Sequence, residues 1–271
     1  MLHVDLIAPI AVLLDRHARR RPAQVAYWDA TRSVTYAQLA DRTASIAANL
    51  AKAGLKDGDR IAIYLPNGVD WIEACFAALR AGAVVVPISF DAAEAEISYR
   101  LTDADCALVV TAGARKELVG KICRDAAISP QVIFAGAGAE EAGPSMASFA
   151  APPGAAPPDP DDIDRSSFII YTSGTTGRPK GTVILAGRAV RAARETVAAD
   201  KLDENDEVLA YLPIAWGGDH YLNYAQGLVA GFCMSCPEEP ETVAEDIVEI
   251  GPTFYFAPPS TLEGLLTRIL I

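Results

Sequence analysis

A segment rich in glycine, hydroxyl residues and basic residues, at positions 171–181, is the part of this sequence best suited to bind phosphate. It reads Tyr-Thr-Ser-Gly-Thr-Thr-Gly-Arg-Pro-Lys-Gly. Glycines let backbone N–H groups approach an anion because no Cβ stands in the way. A hydrogen bond to a charged partner contributes roughly 1.5–3 kcal/mol, so several together could hold a triphosphate. The predicted phosphate-binding residues are Thr172, Ser173, Gly174, Thr175, Thr176, Gly177 and Lys180.

The spacing within this segment differs from that of the P-loop, in which a glycine is followed by four residues and then by Gly-Lys-Ser/Thr. Here Gly174 and Gly177 are three positions apart, Lys180 does not directly follow Gly177, and Gly181 takes the Ser/Thr place. Pro179 precedes a short β-rich run, which predicts that the segment joins two extended stretches instead of opening a helix. A ligand-free hairpin is the competing interpretation, and the density of hydroxyls, glycines and a lysine disfavours it.

The elements that must position this segment alternate between β-rich runs and alanine-rich helical stretches. Strands are predicted at residues 61–65, 84–88, 108–111, 132–134, 167–171, 183–185, 208–212, 232–236 and 253–256. Helices are predicted at residues 69–81, 94–102, 116–126, 188–200, 221–230, 241–249 and from 260 onward. This rhythm predicts an α/β fold in which helices cover a parallel sheet. A Pro- and Ala-rich stretch at 142–162 is predicted to be a surface linker.

Composition narrows the classes of function. The 271 residues carry a formal net charge of −12, which disfavours general binding to nucleic acid. No apolar run reaches the roughly 18 residues needed to span a membrane. The apolar start of the chain lacks a preceding positive charge, so it does not resemble a signal peptide. Ile10, Leu13, Leu14 and His17 instead fall on one helical face. A cytoplasmic protein is therefore expected.

The cysteines do not indicate a metal or disulfide framework. There are five of them, an odd number, scattered along the chain. Cys233 and Cys236 form a lone CxxC pair without a second pair of ligands, and they lie in a predicted strand. Small residues packing in a strand are the favoured interpretation, and no metal ligand is predicted.

The phosphate segment closely resembles the signature of the AMP-forming acyl-CoA synthetase and adenylation-domain superfamily. The resemblance continues in Val-Thr-Tyr-Ala-Gln-Leu at 34–39, in Gly-Asp-Arg-Ile-Ala-Ile at 58–63 and in Arg-Ala-Gly-Ala-Val-Val-Val-Pro-Ile at 80–88. Later landmarks are Leu-Pro-Ile-Ala-Trp at 212–216 and Phe-Ala-Pro-Pro at 256–259. Within the superfamily, the segments at 237–242 and 249–253 look most like those of long-chain fatty acid CoA ligases.

The resemblance implies a fold and a domain division. It implies two stacked βα subdomains of the N-terminal domain of an adenylate-forming enzyme, incomplete at the C-terminus, with residues 1–271 as a partial domain. The expected lobes are 56–195, which carries the phosphate loop, and 1–55 plus 196–271. An acidic magnesium motif, a ribose-binding aspartate and a C-terminal lysine are expected further along a longer chain. This chain alone is therefore expected to have little or no activity.

The resemblance also implies an activity. Members of the family join a carboxylic acid to ATP in the presence of Mg²⁺, giving acyl-AMP and pyrophosphate, and coenzyme A then attacks the acyl-AMP. Lys180 is the expected catalytic residue, acting with the hydroxyls of the loop on the β- and γ-phosphates. Trp216 is expected near the acyl pocket, and a core tryptophan is the alternative. His220 is a weaker candidate for the same pocket, and Asp219 is expected to cap a helix.

Two departures from the family pattern concern the substrate contacts. Thr182 follows the loop where relatives commonly have valine, and Ser260 follows the two prolines where long-chain enzymes often have arginine. Two other functions remain open at this point. One is a non-catalytic module that binds nucleotide or acyl groups, and the other is an adenylating enzyme for another carboxylate or for a carrier-protein acceptor.

Overall fold

A computed structural model of the chain describes residues 9–150, 162–172, 177–217 and 220–269. The strands are β1 Val25–Trp28, β2 Ser33–Thr35, β3 Arg60–Tyr64, β4 Val84–Pro87, β5 Cys106–Ala112, β6 Gln131–Ala135, β7 Ser166–Thr172, β8 Lys180–Leu185, β9 Glu207–Leu209 and β10 Cys233–Ser235. The α-helices are α1 Ile10–Arg20, α2 Tyr36–Lys52, α3 Val69–Arg80, α4 Glu94–Asp103, α5 Lys116–Asp125, α6 Ala139–Ala142, α7 Met146–Phe149, α8 Ala186–Asp200, α9 Gln226–Ala230, α10 Val243–Ile250 and α11 Pro259–Ile269. The predicted α/β class is confirmed.

The larger sheet has the strand order β6-β5-β3-β4-β7-β8. Neighbouring strands are parallel except for β7 and β8, which are antiparallel. All four residues of β4 are buried, which is the near-continuous apolar run expected of a strand covered on both faces. Strands β3, β4 and β5 each match a predicted strand within two residues at either end. Strand β8 is the edge strand at one end of the sheet, and its first four residues are exposed.

Alternate residues of β3 face the two layers of helices. Ile61 and Ile63 pack in the core that includes α3, whereas Ala62 and Tyr64 pack in the core that includes α4 and α5. Successive side chains of a strand point to opposite faces, so one apolar strand supplies both cores. Full burial of a large apolar side chain stabilises the fold by about 1.5–3 kcal/mol. The centre of the sheet is therefore covered by packed helices on both faces.

The smaller sheet has the order β2-β1-β10-β9 and joins distant parts of the sequence. Strand β1 pairs in parallel with β10, with Tyr27 opposite Met234. Helix α1 packs beside it through the predicted apolar face, and His17 Nε2 lies 2.9 Å from the carbonyl oxygen of Leu228. Tyr36 donates a hydrogen bond of 3.0 Å to the carbonyl of Phe232. Among the described residues, no helix has both the length and the apolar character to cross a membrane.

Several predicted elements differ from those in the structure. The strand predicted at 253–256 is wrong, because Phe254 makes only an isolated bridge to Val208. The single helix predicted at 221–230 is a π-helix, His220–Ala225, followed by α9. Within the stretch predicted as a linker, α7 packs with Met146 buried, while residues 151–161 lie outside the described part of the chain.

Candidate functional site

Two antiparallel strands at the edge of the larger sheet, β7 and β8, flank the phosphate segment. Thr172, the last residue of β7, pairs with Lys180, the first residue of β8. The prediction that the segment joins two extended stretches is therefore confirmed. Ser173, Gly174, Thr175 and Thr176 lie outside the described residues. The structure thus shows how both ends of the loop are fixed.

Two glycines at the far end of the loop serve the backbone in different ways. Gly177 has a φ of +97°, a conformation that L side chains rarely adopt, and nothing lies within 4 Å of the position a Cβ would take. Gly181 is opposite Tyr171, and a Cβ there would lie 2.7 Å from Cγ2 of Ile169. Gly177 therefore allows the turn, whereas Gly181 allows the two arms to approach each other.

The polar side chains at the ends of the loop are available to a ligand. Thr172, Gly177, Arg178 and Lys180 are all exposed. Within the described ranges, no carboxylate forms an ion pair with Arg178 or Lys180. Two free cations in a chain of net charge −12 give the hairpin a local positive charge. An anion is the ligand that such a turn attracts.

Helix α4 contacts both arms of the hairpin. The Tyr99 hydroxyl donates a 3.0 Å hydrogen bond to the carbonyl of Pro179, and the Tyr171 hydroxyl donates one of 2.7 Å to Oδ2 of Asp103. The two tyrosine rings meet edge to face at 6.0 Å, and the Arg100 guanidinium lies 5.4 Å from the centre of the Tyr171 ring. The pKa of Tyr171 is raised, mainly because the side chain is buried and to a smaller extent because it donates a hydrogen bond to Asp103. Tyr171 therefore stays neutral at physiological pH.

Gly217, which directly follows the segment at 210–216, lies beside the strand that leads into the loop. A Cβ placed on Gly217 would lie 3.9 Å from Cγ2 of Ile170, two residues before Thr172. Asn67, just after β3, holds this segment through its side-chain amide. Its Nδ2 donates to the carbonyl of Leu212 at 2.6 Å, and its Oδ1 accepts from the Ile214 N–H at 3.2 Å. One amide thus fixes the segment to the larger sheet.

Trp216 is not a core residue. It is 47% exposed and stacks on Phe256, with ring centres 6.4 Å apart and planes inclined by 22°. An exposed, stacked indole at the end of the segment can contact an apolar ligand on its open side. His220 begins the π-helix, but its side chain and all of Asp219 lie outside the described residues. The predictions for these two residues therefore stay predictions.

A cavity of about 250 Å³ lies between the carboxyl ends of β3 and β4 and the 210–216 segment. Its lining is mainly apolar, and its polar members are Asn67, Ser89, Asp91, Tyr211, Glu238 and Glu239. A concave, largely apolar space with a few polar groups is typical of small-molecule sites, and parallel sheets bind ligands at this end. The cavity and Trp216 are therefore the candidate contacts for an organic substrate.

Sequence reasoning missed Asn67 and Tyr99. Asn67 precedes a glycine directly after a strand, a pattern that indicates a turn and says nothing of long-range partners. Tyr99 lies in a helix that the pattern did predict, but its partner, Pro179, is 80 positions away. No local pattern in the sequence signals either contact.

All five cysteines are free. Cys233 lies in β10, and the buried Cys236 directly follows that strand. Within the described ranges, no cluster of three or more His, Cys, Asp or Glu side chains is arranged to hold a metal ion.

Comparison with known proteins gives one family and related folds. The model of the AMP-binding enzyme family matches residues 14–269. A feruloyl-CoA synthase of an Amycolatopsis species is 30% identical over 200 residues, which are 73% of this chain and 38% of that protein. A long-chain-fatty-acid–CoA ligase of Mycobacterium tuberculosis is 32% identical over 210 residues, 76% of this chain and 40% of that protein.

A solved structure from Rhodopseudomonas palustris, assigned as a long-chain-fatty-acid CoA ligase, shares the fold. It superimposes with a TM-score of 0.85 at 24% identity, over 99% of this chain and 67% of that one. The chain spans about two fifths of the length of the two curated relatives. Those relatives act on different acids, so the comparisons leave the substrate open.

Proposed function

The chain belongs to the AMP-binding enzyme family, and we propose from this premise that the protein carrying it activates a carboxylic acid with ATP and transfers the acyl group to coenzyme A. Its fold is that of the N-terminal domain of adenylate-forming enzymes. The observation that supports the proposal most is the pairing and exposure of Thr172 and Lys180, which flank the phosphate segment, next to the segment that carries Trp216. This arrangement supports a phosphate site and an organic site that lie side by side.

In the first proposed step, a carboxylate oxygen attacks the α-phosphorus of ATP. The bond from that phosphorus to the oxygen bridging to the β-phosphate breaks, and pyrophosphate leaves. Negative charge moves onto the pyrophosphate, so donors aimed at the β- and γ-phosphates stabilise the transition state. Lys180 is the proposed catalytic residue, and Thr172, Ser173, Gly174, Thr175, Thr176 and Gly177 are the proposed partners of the phosphates.

In the second proposed step, the sulfur of coenzyme A forms a bond to the acyl carbon. The bond from that carbon to the phosphate oxygen breaks, AMP leaves and the thiol proton is released. The mainly apolar cavity and the open face of Trp216 support an acyl chain as the organic part, and we assign the substrate to the fatty acids. His220 is proposed to border the same pocket. ATP is proposed to enter as its Mg²⁺ complex.

The proposed domain division follows the two sheets. The strands of the larger sheet fall within residues 56–195, and those of the smaller sheet fall within 1–55 and 196–271. We propose that these are two lobes of one adenylating domain, and that the protein works in the cytoplasm.

The test is exchange of labelled pyrophosphate into ATP by the protein carrying this chain, with acids of graded chain length and an aromatic acid. We expect exchange that requires an acid and is greatest with fatty acids. Acid-dependent exchange without thioester formation would point to a carrier-protein acceptor, contradicting the coenzyme A step. ATP binding with no exchange for any acid would contradict the enzyme and favour a binding module.

A further inference from the structure

Tyr99 joins helix α4 to the end of the phosphate loop, and we propose that it is a positioning residue for ATP binding. This inference rests on the proposed function for its link to ATP, but not for its link to the loop. Its hydroxyl would hold the backbone at Pro179, so that Lys180 starts β8 at a fixed place. The residue touches no reacting atom and acts through the loop.

The contact lies at the point where the hairpin ladder stops. Lys180 pairs with Thr172, but Pro179 lies outside the strand and, as a proline, has no N–H to donate. The carbonyl of Pro179 accepts the Tyr99 hydroxyl at 3.0 Å. This hydrogen bond therefore continues the restraint one residue beyond the ladder, between the two exposed cations Arg178 and Lys180.

Helix α4 is itself fixed to the sheet, so the hydroxyl is held in place. Ile97 and Leu101 are 1% exposed and pack in the second core. Arg100 Nη1 donates a 3.1 Å hydrogen bond to the carbonyl of Pro87, the last residue of β4. Asp103 binds the other arm through Tyr171. Helix α4 therefore contacts both ends of the loop, at Tyr171 in β7 and at Pro179 just before β8.

Contacts that hold the loop in place should strengthen ligand binding through preorganisation. A loop that is already held near its bound conformation loses less conformational freedom when a ligand binds. Loss of one ordinary hydrogen bond changes such an equilibrium about two- to tenfold. Tyr99→Phe removes the hydroxyl and keeps the ring against Tyr171, so the change should stay local.

The first experiment measures how firmly the loop is held, and it does not depend on enzymatic activity. Trypsin cleaves after Lys180 but not after Arg178, because Pro179 follows it. We expect the Tyr99→Phe variant of the protein to be cut at Lys180 about two- to tenfold faster, with little change in Tm. Tyr36→Phe is the matched control, since it removes a hydroxyl that also donates to a carbonyl at 3.0 Å but in the smaller sheet. Equal cleavage rates in Tyr99→Phe and the unmodified protein would overturn the proposal.

The second experiment measures the consequence for ATP. In pyrophosphate exchange, Tyr99→Phe should raise the KM for ATP about two- to tenfold and leave the KM for the acid unchanged. An unchanged KM for ATP, or an equal rise for both substrates, would contradict the positioning role. If the unmodified protein shows no exchange, the proposed function fails, and the trypsin comparison still decides whether Tyr99 holds the loop.

Discussion

Replacement of Asn67 should test how the 210–216 segment is held to the larger sheet. The side chain donates to the carbonyl of Leu212 at 2.6 Å and accepts from the N–H of Ile214 at 3.2 Å, and a weaker contact reaches the carbonyl of Ala210 at 3.4 Å. Asn67→Ala leaves these partly buried groups without their partner. Removal of one partner of such a bond costs about 1–3 kcal/mol. We expect a loss of that size in the free energy of unfolding.

Asn67→Asp sharpens the test because it keeps the shape and the acceptor but removes the donor. An ionised carboxylate would then face the carbonyl oxygens of Leu212 and Ala210, whereas a protonated one could still donate to Leu212. The folded protein should therefore hold the proton more tightly than the unfolded chain, in which an aspartate has a pKa of about 3.9. A folded-state pKa raised in this way lowers stability as the pH rises from about 4 towards that pKa.

Urea unfolding between pH 4 and pH 7, followed by circular dichroism, measures both effects. Asn67→Ala should be destabilised by about the same amount across this range, and Asn67→Asp increasingly so as the pH rises. Asn49→Ala is the matched control, since Asn49 donates at 2.8 Å to the carbonyl of Phe149, away from the 210–216 segment. A constant difference between Asn67→Asp and the unmodified protein would refute the assigned hydrogen-bond directions.

Two further predictions concern the hairpin and a buried carboxylate. Gly181→Ala should lower the free energy of unfolding by about 1–3 kcal/mol, because the added Cβ would lie 2.7 Å from Cγ2 of Ile169. In a double-mutant cycle, Ile169→Ala should relieve part of that loss. Additive effects of the two substitutions would contradict this clash. Burial raises the pKa of Glu73, but the hydrogen bonds and charges of Arg32 and Arg42 outweigh it and hold the pKa below the ordinary 4.5. Its contribution is therefore present above pH 4.5 and lost as the pH falls through the lowered pKa. Glu73→Gln should flatten the loss of stability in acid, measured by urea unfolding, and an unchanged acid limb would contradict this.

The sequence predicted β3 and β4 of the larger sheet well because these inner strands are buried on both faces. The apolar runs at 61–65 and 84–88 correspond to β3 and β4, and the helix predicted between them at 69–81 corresponds to α3, Val69–Arg80. In such a sheet the local pattern and the tertiary environment favour the same structure. The hairpin around the phosphate loop was predictable from a different signal, because β8 is largely exposed: Pro179 precedes a short β-rich run.

The smaller sheet was less predictable because its pairing is not local. Strand β1 pairs with β10, about 200 positions away, and no pattern within either strand specifies that partner. The prediction at 253–256 followed a real β-rich run, but only Phe254 makes a bridge in the described residues. Helix α2 begins with a capping box formed by Thr35 and Gln38, a local signal for a helix start that is present in the sequence.

The candidate site also contains parts that a local sequence pattern predicts and parts that depend on long-range contacts. The types and spacing of residues predicted the phosphate loop, whose ends Thr172 and Lys180 the structure shows exposed and paired. The hydrogen bonds from Asn67 and Tyr99 to partners far along the chain could be identified only from the structure. Chemistry-bearing residues form a local motif, whereas the residues that position them do not.

The central claim is that the hairpin turn supplies charge to the phosphates of ATP during acid activation. The most direct measurement is pyrophosphate exchange by two variants of the protein carrying this chain, Lys180→Ala and Arg178→Ala. Both remove one exposed cation from the same turn, but Lys180 is the proposed catalytic group and Arg178 is expected to lie at its solvated edge. We predict that Lys180→Ala lowers exchange by roughly 10²-fold or more, and Arg178→Ala by far less. Equal, small losses in both variants would contradict the claim.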